Sequence, residues 1–259
     1  MVKKGVRITE VDIGNIIHKK QPIENLTLMS EQVIKTVLSE LGIIANKHKL
    51  IIFDFDNTLI EQSSIELLAK EFGFTKELKN LRAKHAKKKI KDYEITLALA
   101  KLLKGKSLKQ IENACKNIII SKNTLKVIER LKKRQYMLAI ISSAFSPVVE
   151  YIAQEIGIDA ENIICPQLVR DGHNIFTGEV IAKTTFLSDC CDRIICKSNS
   201  AKELMSKLSV KSEECIAVGD GKSDECLFKV CGLSLAFNSK LDLGDVKINE
   251  MSEILIYAE

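Results

Sequence analysis

Residues 51–61 read Ile51-Ile52-Phe53-Asp54-Phe55-Asp56-Asn57-Thr58-Leu59-Ile60-Glu61, and their order decides the fold. The chain enters from polar Lys47-His48-Lys49 and turns apolar at Leu50, with the length and composition of a buried parallel strand. That strand stops at two carboxylates one residue apart. Acidic groups at the end of a buried strand are costly unless a cation or hydrogen bonds compensate them. In open α/β sheets the same edge is where ligands bind. A purely local reading also exists, in which Asp54 and Asp56 begin a turn and Asn57-Thr58 caps the next helix.

Working outward, the spacing predicts a helix over 123–134, with Leu125, Val127, Ile128 and Leu131 on one face. Strands are expected at about 137–142, 162–166, 192–196, 215–219 and 233–236, with helices between most of them. Such alternation implies a parallel sheet covered on both faces, an α/β core of Rossmann-like type. Residues 63–117 read as almost pure helix, and Ser107 with Gln110 forms a capping box before Ile111. Residues 167–180 place Asp171-Gly172 between β-prone runs, the pattern of a hairpin. Residues 1–48 form an N-terminal extension with a helix expected after Ser30. The expected organisation is therefore an extension (1–48), a core (49–62 and 118–259) and a helical insert (63–117).

Three later segments fall in a fixed order behind the Asp54 strand. Ile140-Ile141-Ser142-Ser143 is an apolar strand ending in hydroxyl residues, Lys197 opens a helical pattern, and Gly219-Asp220-Gly221-Lys222-Ser223-Asp224 follows another strand. Together they resemble the four motifs of the haloacid dehalogenase-like (HAD) superfamily, most closely its phosphoserine-phosphatase-like branch, over roughly residues 48–257. The helical insert is similar to that branch's small cap domain, and the hairpin to its β-hairpin flap.

The resemblance implies a chemistry. Phosphoryl transfer needs an in-line nucleophile, neutralisation of charge on the phosphoryl oxygens and a proton for the leaving alkoxide. Asp54 is the implied nucleophile, forming an aspartyl-phosphate. Asp56 is the implied general acid, then base. Ser142, the Ser143 amide and Lys197 would hold the phosphate, with Lys202 a rival lysine. Mg²⁺ is the implied cofactor, held by Asp54, Asp220 and the Asp56 carbonyl, with Asp224 orienting one of its waters. Asp56 argues against a dehalogenase, which needs no second aspartate. A phosphotransferase or mutase, and a non-catalytic phospholigand-binding protein, are the alternatives.

The chain departs from that branch in three places. Ser142-Ser143-Ala144 stands where Ser-Gly-Gly is usual, and Ser223 where Asn is usual. Ser63 occupies the position of the cap glutamate that holds a substrate amine, and Leu99 or Ala100 that of the cap arginine. Glu61 or Glu66 could stand in for the glutamate, while nothing evident replaces the arginine. These departures put L-phosphoserine in question and leave a small phosphorylated metabolite as the expected substrate. The run Arg82, Lys84, Lys87, Lys88, Lys89 and Lys91 reads either as a solvated face or as an attractor for a second anionic group.

Bulk properties agree with a cytoplasmic enzyme. The 259 residues are 46% hydrophobic and 28% charged, with net charge +5, an ordinary globular balance. No membrane span or signal peptide is expected, and no nucleic-acid partner. The eight cysteines form no Cys-x-x-Cys pair, so a zinc ribbon is not expected. Cys190-Cys191 is the one redox feature, against a reading of all eight as reduced thiols.

Overall fold

The computed structural model describes residues 48–182 and 190–258. The extension, with its helix after Ser30, lies outside them apart from His48. Strand β1, Leu50–Phe53, is buried along its whole length. Its side chains alternate between two cores, Ile51 and Phe53 entering one and Leu50 and Ile52 the other, as a strand covered on both faces requires. The other sheet strands are β2 (Met137–Ile141), β3 (Ile163–Ile164), β6 (Cys215–Gly219), β7 (Leu233–Phe237) and β8 (Val246–Ile248), with β4 and β5 kept for a separate hairpin.

The sheet order is β3-β2-β1-β6-β7-β8, every neighbour pair parallel. The chain builds outward from β1 on one side through β2 and β3, then returns to build the other side from β6. The switch point thus lies at the carboxyl end of β1, where such sheets hold their ligands. The register sets Phe53 opposite both Ile140 and Val218. Consequently Asp54, the Ile141-Ser142 step and the Gly219-Asp220 step emerge level with one another.

Between β1 and β2 lie α1 (Ser64–Phe72), α2 (Thr75–Ala86), α3 (Asp92–Leu102), α4 (Leu108–Cys115) and α5 (Thr124–Lys133). The Ser107 hydroxyl caps α4 by accepting from the Gln110 amide at 3.2 Å, and the Gln110 side chain accepts from the Ser107 amide at 2.8 Å. After β2 comes α6 (Ser146–Ile156).

Strands β4 (Gln167–Arg170) and β5 (Phe176–Ile181) form an antiparallel hairpin. Asp171 closes its turn by accepting from the amides of His173 and Ile175, both at 2.9 Å. The hairpin is tied to the helices by three main-chain bonds of 2.9 Å: Gly105 N–H to Phe176 O, Phe176 N–H to Lys106 O, and Leu108 N–H to Asn174 O. At Gly178, β5 passes so near α3 that a Cβ would lie 3.4 Å from Lys101 Cα, with φ at +87°. Glycine meets both demands.

One expected strand is absent. Residues 192–195 form bends, leading into α7 (Lys197–Lys207). Ile194 and Ile195 are buried all the same. A run this short is consistent with any buried conformation, and β1 already has a partner on each side, β2 and β6. The expected strand at 162–166 contracts to two residues. Strand β8 was not foreseen, because Lys247 interrupts its two apolar residues.

Candidate active site

Asp54 is delivered by β1, its amide donating to Val218 O of β6 at 2.8 Å. It is 5% exposed. Lys197, the first residue of α7, reaches the same point from the opposite side and is 1% exposed. Its Nζ bridges Asp54 Oδ1 and Asp224 Oδ1, the latter at 2.5 Å. The rival Lys202 is exposed on the same helix. Asp224, fully buried, also accepts from the Gly221 amide at 3.1 Å and the Ser223 hydroxyl at 3.4 Å. Ser223, where asparagine is usual, thus keeps a bond to that carboxylate.

Gly219 makes this packing possible. A Cβ there would stand 2.6 Å from Asp224 Oδ2 and 2.9 Å from Asp224 Cβ, well inside van der Waals contact.

Asp56 sits two residues beyond Asp54 and is held by α1. The Ser64 amide donates to Oδ1 at 2.9 Å and the Ser64 hydroxyl to Oδ2 at 3.2 Å, a helix N-terminus receiving an anion. Ser142 follows β2, its amide donating to Ile164 O at 3.0 Å and its hydroxyl accepting from the Ala144 amide at 3.0 Å. Ser142 is buried and Ser143 exposed.

A cavity of about 430 Å³ opens over these groups, lined by Asp54, Asp56, Ser142, Ser143, Lys197 and Asp220. Ser63 and Leu99 also line it, and the helices contribute Arg82, His85, Asp92 and Thr96. Arg82 pairs with Glu66. The basic run therefore divides. All six residues are exposed, but Arg82 also lines the cavity, whereas Lys84, Lys87, Lys88, Lys89 and Lys91 do not. Arg82 of α2 and Leu99 of α3 both line the cavity. No local sequence signal distinguishes Arg82 from its lysine neighbours. Glu61 instead borders a different pocket, beside Ser121 and Asn238.

The electrostatics follow from burial. Asp54 is pushed up to about 7 by burial and by Asp224, with Lys197 pulling the other way. Burial pushes Asp56 up to about 6, against its bonds to Ser64. Asp220 is also raised, by burial and Asp224. For Lys197 burial disfavours the charge, yet Asp224 and Asp54 hold its pKa above the ordinary range. Asp54, Asp220 and Asp224 offer oxygens all within 4.8 Å of one another. Lys197 pairs with two of these three carboxylates, which leaves an excess of negative charge on hard oxygen donors. That donor set fits a hard divalent cation.

The family model for haloacid dehalogenase-like hydrolases matches residues 51–229. The chain belongs to the haloacid dehalogenase-like hydrolases. Within that family it stands on the phosphoserine-phosphatase-like branch. The phosphoserine phosphatase of Methanocaldococcus jannaschii is 29% identical over 220 residues, covering 82% of this chain and 98% of that protein. That of Wolinella succinogenes is 27% identical over 192 residues, covering 74% of this chain and 88% of that one. A solved phospho-aspartyl intermediate analogue of phosphoserine phosphatase superposes with a TM-score of 0.67 at 29% identity, over 82% of this chain and 100% of that one. A substrate-bound phosphoserine phosphatase complex gives 0.68 at 28% identity, over 82% and 99%. Among the described residues, no helix is long and apolar enough to cross a membrane.

Proposed function

We propose that this HAD-family phosphatase is a Mg²⁺-dependent cytoplasmic enzyme that hydrolyses a small phosphorylated metabolite through an aspartyl-phosphate on Asp54. The observation that carries the reading is the buried contact of Lys197 with Asp54 on the cavity floor, beside Asp56 in its own bonded setting. Asp54 attacks phosphorus as a carboxylate, and the bond from phosphorus to the substrate oxygen breaks. Asp56, protonated, gives its proton to the departing alkoxide. As a carboxylate it then takes a proton from the water that attacks the aspartyl-phosphate, which releases phosphate and restores Asp54. A carboxyl raised to about 6 suits both roles near neutral pH.

Lys197 and the Ser142 hydroxyl hold the phosphoryl oxygens, with the Ser143 amide beside them. Lys197 also fixes the attacking oxygen. Asp54, Asp220 and Asp224, with the Asp56 carbonyl, are the groups that would hold Mg²⁺, Asp224 at the same time anchoring Lys197. The bound ion supplies neutralisation of charge on the transferring group. The helices 63–117 serve as a cap domain over the core (49–62 and 118–259).

For the substrate, Arg82 offers the cavity wall a cation, its guanidinium paired with Glu66, which lies outside the lining. A cation there suits a small phosphomonoester that bears a carboxylate, and the relatives are phosphoserine phosphatases. L-phosphoserine is therefore the first substrate to test. Asp54→Asn keeps the side chain's shape and removes the attacking anion. It should lower hydrolysis of a small phosphomonoester by a factor of about 10³ or more with an unchanged circular-dichroism spectrum. Substantial residual turnover would remove the covalent route.

A further inference from the structure

The segment that delivers Lys197 carries a second group of ligating side chains. The Sγ atoms of Cys190, Cys196 and Cys226 all lie within 4.8 Å of one another. Cys191 is next to Cys190 in the chain and half-buried, outside that mutual 4.8 Å group but beside Cys196. None of the four forms a disulfide. No Cys-x-x-Cys spacing announces the group. Cys196 immediately precedes α7, Cys226 lies in the short helix α8 (Glu225–Phe228), and Cys190-Cys191 stand upstream. Folding alone brings these segments together.

We propose that Cys190, Cys196 and Cys226 form a zinc site separate from the carboxylates, the adjacent Cys191 thiol being drawn in by the ion as fourth donor. A tetrahedral zinc ion with Zn–S bonds of about 2.3 Å spaces its sulfurs about 3.8 Å apart, within the spread of these thiols. A disulfide uses two sulfurs, whereas three converge here. Thiolates favour zinc over Mg²⁺. Cys196 is buried, Cys191 and Cys226 are half-buried and Cys190 is exposed, so an ion has a route from solvent. Binding exchanges the thiol protons for the ion and releases them to water, with no change of oxidation state.

The position gives the site a purpose. Cys196 adjoins Lys197, and Cys226 follows closely on Asp224. Between the cysteines, Arg193 donates to Ser223 O at 3.2 Å, and Asp192 accepts from the Tyr93 amide at 2.9 Å and the Asp92 amide at 3.2 Å. Zinc here clamps the lysine-bearing segment to the Asp224 turn, and through Asp192 to the start of α3.

The test uses the full chain, reduced, stripped with chelator and held in excess Mg²⁺ so that the carboxylates are occupied. Cobalt(II) addition should produce thiolate-to-cobalt charge-transfer absorption, which oxygen ligands do not give. Zinc should abolish that absorption at one equivalent per chain. The double variant Cys190→Ser/Cys226→Ser should lose both signals while keeping its circular-dichroism spectrum. If that variant does not fold, Cys190→Ser alone, at an exposed position, should weaken zinc affinity at least tenfold. The proposal is overturned if the reduced chain gives no charge-transfer band. It is equally overturned if the serine variants bind as the parent does, or if the reduced chain takes up no zinc and its four thiols only pair as disulfides on oxidation.

Discussion

At the scale of single residues, the site is a balance of four carboxylates against one ammonium. Lys197 has no aqueous alternative to its two partners, being 1% exposed. Lys197→Met keeps much of the volume and leaves Asp54 and Asp224 buried without their counter-charge. Loss of one partner from a buried ion pair costs roughly 3–5 kcal/mol, and the melting temperature should fall accordingly. The fall should be smaller near pH 5 than near pH 8, since Asp54 takes up a proton more readily in acid. An unchanged melting temperature would mean that the pairing contributes nothing.

The acidic cluster carries its own pH signature. Asp54, at about 7, and Asp220, also raised, bind protons more tightly in the folded chain than in the unfolded one. Folding stability from these groups is therefore greatest in acid and is lost as pH rises from about 4 through about 7. Mg²⁺ binds the ionised forms, so its stabilising effect should grow over the same range. Thermal melts with and without Mg²⁺ at about pH 5 and pH 8 check this, with the larger upward shift expected at pH 8. A shift independent of pH would move the ion away from Asp54 and Asp220.

At the scale of elements, legibility tracked how local the determinant was. Asp54 at the end of an apolar strand, Ser142 after another and the Gly219–Asp224 turn each announce themselves within a few residues. The capping box at Ser107 and the Asp171 turn did so too. Residues 192–196 misled because burial of Ile194 and Ile195 does not specify extended backbone. The role of Gly219 was invisible in sequence, since it depends on where the Asp224 carboxylate folds back. Gly219→Ala forces that carboxylate to move and should disturb Lys197 with it. We expect destabilisation of about 1–3 kcal/mol, the range for overpacking, and a larger loss in kcat than in KM. Wild-type kcat in the variant would show that the Asp224 position is immaterial to turnover.

At the scale of the whole molecule, the core's parallel order was readable, because alternating strand and helix leaves few topologies. The cavity's upper wall was not. Arg82 reaches it only because α1, α2 and α3 pack as they do, and helix packing depends on contacts far apart in sequence. The expectation that nothing replaces the cap arginine rests on a position in the chain, and Arg82 on the cavity wall is the candidate a variant can test. Arg82→Ala should therefore lower kcat/KM for L-phosphoserine by about tenfold or more while changing that for an uncharged aryl phosphate little, a difference of roughly 1.4 kcal/mol. Steady-state kinetics on the two substrates decide it. Equal losses would make Arg82 a structural residue.

The hairpin contributes no side chain to the cavity lining. It nevertheless holds the chain that follows α3 through the bonds at Gly105, Phe176 and Leu108, and meets α3 itself where Gly178 passes Lys101. It is a buttress standing behind the wall rather than a part of it. Sequence drift in β4 and β5 that displaces α3 would shift Thr96 and Leu99 in the cavity wall without replacing a residue of the lining. Two descendants of this chain could share every lining residue and still differ in how the wall is set, because of strands that stand behind it.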